Sequence, residues 1–222
     1  TLKEEYTQWL ANPVGKTQWT MVEAQSLKSQ IGTELSKEAD GAIFASGKNG
    51  KDTFTIVTET DLKNLTAIRL EALTDKRLPK NGPGRSPNDG NFVLTELEVF
   101  WAPKDKPDEK KKLKLGGAKA TFSQNSYAVA TAIDGRLNNS SNGWAISPQM
   151  GKNHIASFEI AQHTKHDGPI LLTFVMKQMF QGNNWQIGKF RWSVTNNKKP
   201  VNFGHPQNIA GLLAIEPEER DD

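Results

Sequence analysis

The sequence predicts an all-β fold, an antiparallel β-sandwich of jelly-roll type, as a single domain over residues 1–222. Several stretches alternate apolar and polar residues with period two, as half-buried antiparallel strands do. Clusters of Gly, Asn, Asp and Pro punctuate them at short intervals. Amphipathic helical spacing is confined to one stretch near the beginning.

In chain order, residues 2–11 read as a short edge helix, stopped by Asn12-Pro13, with Tyr6, Trp9 and Leu10 on one face. Residues 19–24 read as a strand. Residues 38–45 hold a turn and then a strand, and Gly47-Lys-Asn-Gly-Lys51 is a turn before a clear strand at 52–60. The stretch 65–101 organises the chain. In its first arm Ile68, Leu70 and Ala72 share a face, with Arg69 and Glu71 on the other. A long loop with Pro79, Gly82, Pro83, Gly84, Pro87 and Gly90 follows. In the second arm Val93, Leu97 and Val99 share a face, with Phe92, Leu94, Glu96 and Glu98 opposite. If the two arms pair, Arg69 lies on one sheet face with Glu96 and Glu98. That reads first as a cross-strand ion pair. The other reading leaves Arg69 free to fork onto a carboxylate or sulfate.

After Trp101 a mixed-charge run through Lys112 reads as a solvated loop, then strand signals resume at Leu113, Leu115 and 118–122. A polar loop rich in Asn, Ser and Gly lies between apolar residues at 128–146. Strands are expected at 154–160, 170–180 and 187–194. In the last of these Phe190, Trp192 and Val194 alternate with Lys189, Arg191 and Ser193. Residues 209–215 read as a closing strand and 216–222 as a frayed acidic tail.

A chain of 222 residues can bury a sizeable core. It has no cysteine, which excludes disulfides, cysteine–zinc sites, thiol catalysis and covalent haem attachment within it. The net charge of +3 is scattered, which argues against nucleic acid as partner. No apolar run reaches the ~18 residues of a membrane span. The first residue is Thr1, and the expectation is a piece of a longer exported protein.

Ala132-Ile-Asp-Gly135 followed by Gly143-Trp144 resembles a signature of discoidin-like, galactose-binding-like sandwiches. A wider set comprises Arg69-Leu-Glu-Ala-Leu73, Leu78-Pro79, Gly82-Pro-Gly-Arg85, Gly90-Asn-Phe-Val-Leu94 with Glu96, Phe158-Glu159 and Ile187-Gly188 through Val194. In this order they resemble, over residues 18–201, the sandwich domain of planctomycete-type proteins that also carry cytochrome c-like domains. This chain departs from that pattern at Gly188-Lys189-Phe190-Arg191, where the family often has Gly-Arg-Phe-Arg. It departs again at Gly182-Asn-Asn-Trp-Gln186, which replaces a histidine-bearing loop. The resemblance implies a non-catalytic sugar-binding module with a structural calcium, acting outside the cell, in the periplasm or at the cell surface. Its partners would be a polysaccharide and the other domains of the parent chain.

Calcium takes six to eight oxygen ligands. Asp134, Asn138, Asn139, Ser140 and Ser141 offer such oxygens, and the resemblance adds Glu216. The alternative is that Asp134 caps a tight turn. Sugars need an aromatic platform with planar hydrogen-bonding groups around it. Trp185, between Asn183, Asn184 and Gln186, is the first choice, and Trp144 the second, with a role plugging the sandwich end as its alternative. Arg85, Asn88, Asp89 and Asn91 line the long loop, and Arg69 completes the ligand set. No catalytic context stands out. His163 and His166 lie in a polar turn without a third ligand, and neither a Walker-type loop nor a nucleophile elbow is present. The function expected is binding of a polysaccharide, in particular an acidic one, without turnover. The alternatives are a protein-docking module and, third, a polysaccharide lyase or hydrolase.

Overall fold

The computed structural model describes residues 17–137, 142–162, 164–182 and 184–203. Twelve strands are defined among them: β1 (Thr20–Met21), β2 (Ala24–Ser29), β3 (Thr33–Lys37), β4 (Ile43–Gly47), β5 (Asp52–Thr60), β6 (Ala67–Ala72), β7 (Glu96–Pro103), β8 (Lys111–Lys112), β9 (Leu115–Ala120), β10 (His154–Ile160), β11 (Ile170–Gln178) and β12 (Lys189–Thr195). Two short 3-10 turns, Pro79–Asn81 and Val129–Ile133, are the helical elements described. Neither is long and apolar enough to cross a membrane.

The strands form two antiparallel sheets packed face to face. One runs β3-β4-β12-β6-β10-β9, with β1 added beside β12; the other runs β2-β5-β11-β7-β8. Alternation builds the core directly. Every second residue of β5 is buried, with Phe54 and Ile56 turned inward. Phe174 of β11 stacks on Trp192 of β12, ring centres 4.2 Å apart, and Phe54 stacks on Phe190 at 6.2 Å. These pairs cross the interior and tie the sheets together, each adding about 0.5–1.5 kcal/mol beyond burial.

The all-β sandwich is as the alternation predicts, but the arms of the 65–101 stretch do not pair. β6 lies between β10 and β12 in the seven-stranded sheet, and β7 between β11 and β8 in the five-stranded sheet. The connection between them is too long to act as a hairpin and carries the chain across the end of the sandwich. Ile68 and Leu70 therefore share the core with Leu97 and Val99 from opposite sheets, not along one sheet. The expected ion pair of Arg69 with Glu96 or Glu98 does not form. Arg69 instead bonds Glu71, which also receives Arg191 from β12.

Residues 19–24 do not make one strand. β1 is two residues long and the chain continues as β2, which joins the opposite sheet. The helix expected at 2–11, the strand at 209–215 and the tail at 216–222 lie outside the described residues.

Candidate functional site

Four loops meet at one end of the sandwich. Leu94 and Trp144 exchange both backbone hydrogen bonds, at 3.0 and 2.9 Å, and Gln124 N–H donates to Ala145 O at 2.8 Å. Val93 N–H donates to Trp185 O at 2.9 Å, and Arg85 N–H to Gln186 O at 2.8 Å. Close approach requires glycine here. A Cβ on Gly84 would stand 2.0 Å from Asn91 O, and Gly90, at φ +74°, passes Pro79 O so closely that a Cβ would stand at 2.1 Å.

Trp185 is half-buried in this cluster. Its ring stands edge-to-face on Phe180 at 5.4 Å, and Phe180 stands edge-to-face on Tyr127 at 5.9 Å. Gly182 runs against the indole, where a Cβ would come within 2.6 Å of Nε1. Asn184 turns the chain in the left-handed region, φ 72°, and Gln181 is exposed beside it. Asn183 lies outside the described residues. The result is three contiguous aromatic rings, all partly accessible, with amide side chains alongside.

Trp144, Asn91 and Arg85 are committed internally, and Arg69 is buried away from this rim. Trp144 is 0 % exposed, donates from Nε1 to Phe122 O at 2.9 Å and meets Phe92 edge-to-face at 5.1 Å. It plugs the sandwich end and presents no face. Asn91 is buried; its Oδ1 accepts from Phe92 N–H and Ile146 N–H, and its Nδ2 donates to Gln124 Oε1 at 3.0 Å. It pins one loop to two others. The Arg85 guanidinium donates to Lys48 O and Gly47 O, both at 2.7 Å, and to Gln186 Oε1. It braces the β4–β5 turn and does not reach out. Arg69 is buried on the outer sheet face under Trp19, whose ring centre lies 5.1 Å away.

At the predicted calcium loop, Asp134 Oδ1 accepts from Arg136 N–H at 2.9 Å and from Asn142 Nδ2 at 3.2 Å. This is a capped turn. Asn138, Ser140 and Glu216 lie outside the described residues. Among the described residues, no three His, Asp or Glu side chains gather as a metal cluster. Asp134, the one described member of the expected calcium set, is engaged as a turn cap.

Of two buried carboxylates, Asp52 is not singled out by the sequence, and Glu96 is read there as a partner of Arg69. Asp52 is 0 % exposed and is surrounded by donors from Ser29, Gln30, Ile31, Thr33, Thr53 and Gln186. Through Gln186 it connects to Arg85, so it underpins the loop that carries Trp185. Glu96 is 4 % exposed and accepts from Gly135 N–H at 3.1 Å. Burial pushes its carboxyl up to about 7, despite that bond; Asp134 and Glu98 raise it further and Lys177 opposes them. Phe180 is also new. Alternation extends the strand to Phe180, but β11 ends at Gln178, whose Oε1 accepts from Ile187 N–H at 2.6 Å.

Comparison with protein-family models, with curated proteins and with solved structures finds no match.

Proposed function

We propose that this sandwich is a non-catalytic carbohydrate-binding module that grips a polysaccharide at the aromatic rim of its loop end. The observation that supports the reading is the ring cluster Trp185–Phe180–Tyr127, half-exposed with amides beside it. The C–H face of a pyranose is apolar and packs on an indole face. Asn184 and Gln181 lie beside Trp185 in the chain and offer planar amides, each both donor and acceptor, to the ring hydroxyls. The rim is held from below by Gly182, Gln186 and the Asp52 hub, so little ordering is left for the ligand to impose. Glu96 and Asp134 each accept a hydrogen bond from the loop after the second 3-10 turn, Glu96 from Gly135 N–H and Asp134 from Arg136 N–H.

Affinity electrophoresis against neutral and anionic polysaccharides tests this. The expected result is retardation by at least one glycan, weakened about tenfold or more in Trp185→Ala, equivalent to ~1.4 kcal/mol. Retardation unchanged in Trp185→Ala overturns the assignment of the site. Migration unaffected by every glycan overturns the sugar reading and favours a protein-docking module. Release of reducing ends or unsaturated sugars would instead establish an enzyme.

A further inference from the structure

The outer face of the seven-stranded sheet carries a second polar cluster that the aromatic rim does not use. Strand register sets Ser157 of β10, Arg69 of β6 and Ser193 of β12 side by side, with Lys119 of β9 next to Ser157. Arg69 is 7 % exposed and Ser157 0 %. Arg69 Nη1 donates to Phe203 O at 2.7 Å, and Nη2 to Glu71 Oε2 and Ser193 Oγ, both at 3.3 Å. Arg191, equally buried, donates from Nε and Nη2 to the two oxygens of the same Glu71, at 3.0 and 3.1 Å. Two buried guanidiniums thus share one carboxylate. Arginine stays protonated in proteins, so one positive charge lies out of water with no described carboxylate of its own. The direction of the Arg69 pKa agrees: burial lowers it, and Arg191 adds to that against the pull of Glu71.

The same cluster holds two groups without partners. Arg69 Nε and Ser157 Oγ are both buried and have no hydrogen-bond partner among the described residues. Over the face run two chain segments that fasten each other: Asn202 N–H donates to Thr17 Oγ1 at 2.9 Å, and Trp19 Nε1 to Asn202 O at 3.0 Å. Val201 N–H donates to Glu159 Oε1 at 3.3 Å, which holds the strap against β10. A buried donor without an acceptor marks a place for a bound water or ion. Water would satisfy the two hydrogen bonds and leave the charge; an anion satisfies both.

We infer that Arg69 Nε and Ser157 Oγ form a binding site for a small oxyanion, a carboxylate or a sulfate, held beneath the strap of residues 17–19 and 201–203. The oxyanion accepts one hydrogen bond from each and supplies the missing negative charge. Lys119 at the rim of the site attracts it. The site goes beyond the sugar-binding reading and does not depend on it.

Thermal unfolding of the whole chain in low-millimolar sodium sulfate or sodium acetate, against sodium chloride at equal ionic strength, tests this. The expected result is a Tm rise on the order of 5 °C at saturation with the oxyanions and none with chloride. In Ser157→Ala and Arg69→Lys the apparent affinity for sulfate falls at least tenfold. Ser157→Ala removes a hydroxyl that is unsatisfied when the site is empty, so it folds at least as stably as the parent in oxyanion-free buffer. Trp185→Ala keeps the full sulfate shift. Equal Tm in sulfate and chloride means a water-filled site and overturns the proposal, as does an undiminished sulfate shift in Ser157→Ala. Titration with oligogalacturonate separates the sources. Competition with sulfate identifies a polymer-borne carboxylate, and sulfate binding without such competition identifies a free small anion.

Discussion

Replacing Glu96 by Gln isolates the energetic cost of one buried carboxyl. The groups facing it are Asp134 and Gly135 from the loop after the second 3-10 turn, Glu98 along its own strand and Lys177 across from it on β11. Its pKa rises from an ordinary 4.5 to about 7 in the fold. Between those values the folded state holds a proton that the unfolded chain has released, so stability falls as pH rises through this window. Each tenfold change in proton affinity is worth about 1.4 kcal/mol, so the ionised carboxylate destabilises the fold by roughly 3 kcal/mol above pH 7. Glutamine keeps an oxygen for Gly135 N–H and carries no charge. Urea unfolding of parent and Glu96→Gln, with a chelator present, should give nearly equal stabilities at pH 5. At pH 8 the variant should gain about 2–3 kcal/mol, a Tm increase of roughly 5–10 °C for a chain of this size. A gap of the same size at both pH values would show that the substitution acts through packing and not through charge. A variant less stable than the parent at pH 8 would show that the ionised carboxylate is a favoured state of the fold.

Asp52→Ala leaves the surrounding donors without an acceptor, and a loss of about 3–5 kcal/mol is expected from urea denaturation. Trp144→Phe deletes the donor to Phe122 O and a ring's worth of packing; a loss of about 1–3 kcal/mol is expected, with glycan retardation of the folded variant unchanged. Burial lowers the pKa of His154, whose Nε2 lies 2.7 Å from Gln149 O. The contribution of the neutral ring is therefore present above about pH 6.5 and lost as pH falls below it. His154→Gln should flatten the stability profile between pH 7 and 5.

How far the sequence carries depends on what each pattern encodes. Period-two alternation encodes which side of a strand faces the core, and for 52–60, 67–72 and 189–195 it is read correctly. It does not encode which sheet a strand joins. Ile68-Arg-Leu and Leu97-Glu-Val fit equally well as neighbours in one sheet or as opposite walls of a core, because either arrangement buries the same residues. The connection decides, and a long loop laced to three other loops sends the second arm to the far sheet. Arg69 is misassigned to Glu96 or Glu98 for that reason alone. The loop residues pose a different ambiguity. A loop held rigid from within uses Asn, Arg and Gly just as a loop that holds a ligand does, and Asn91 and Arg85 belong to the first kind because their hydrogen bonds close on the protein. Trp185 differs from them in chemistry. The described contacts of its side chain are ring contacts, edge-to-face on Phe180 and against Gly182, and part of the indole stays accessible. Its neighbours in the rim, Phe180 and Tyr127, escape notice because each reads as a strand or turn residue in isolation, and only the bend after Gln178 brings them to the same indole.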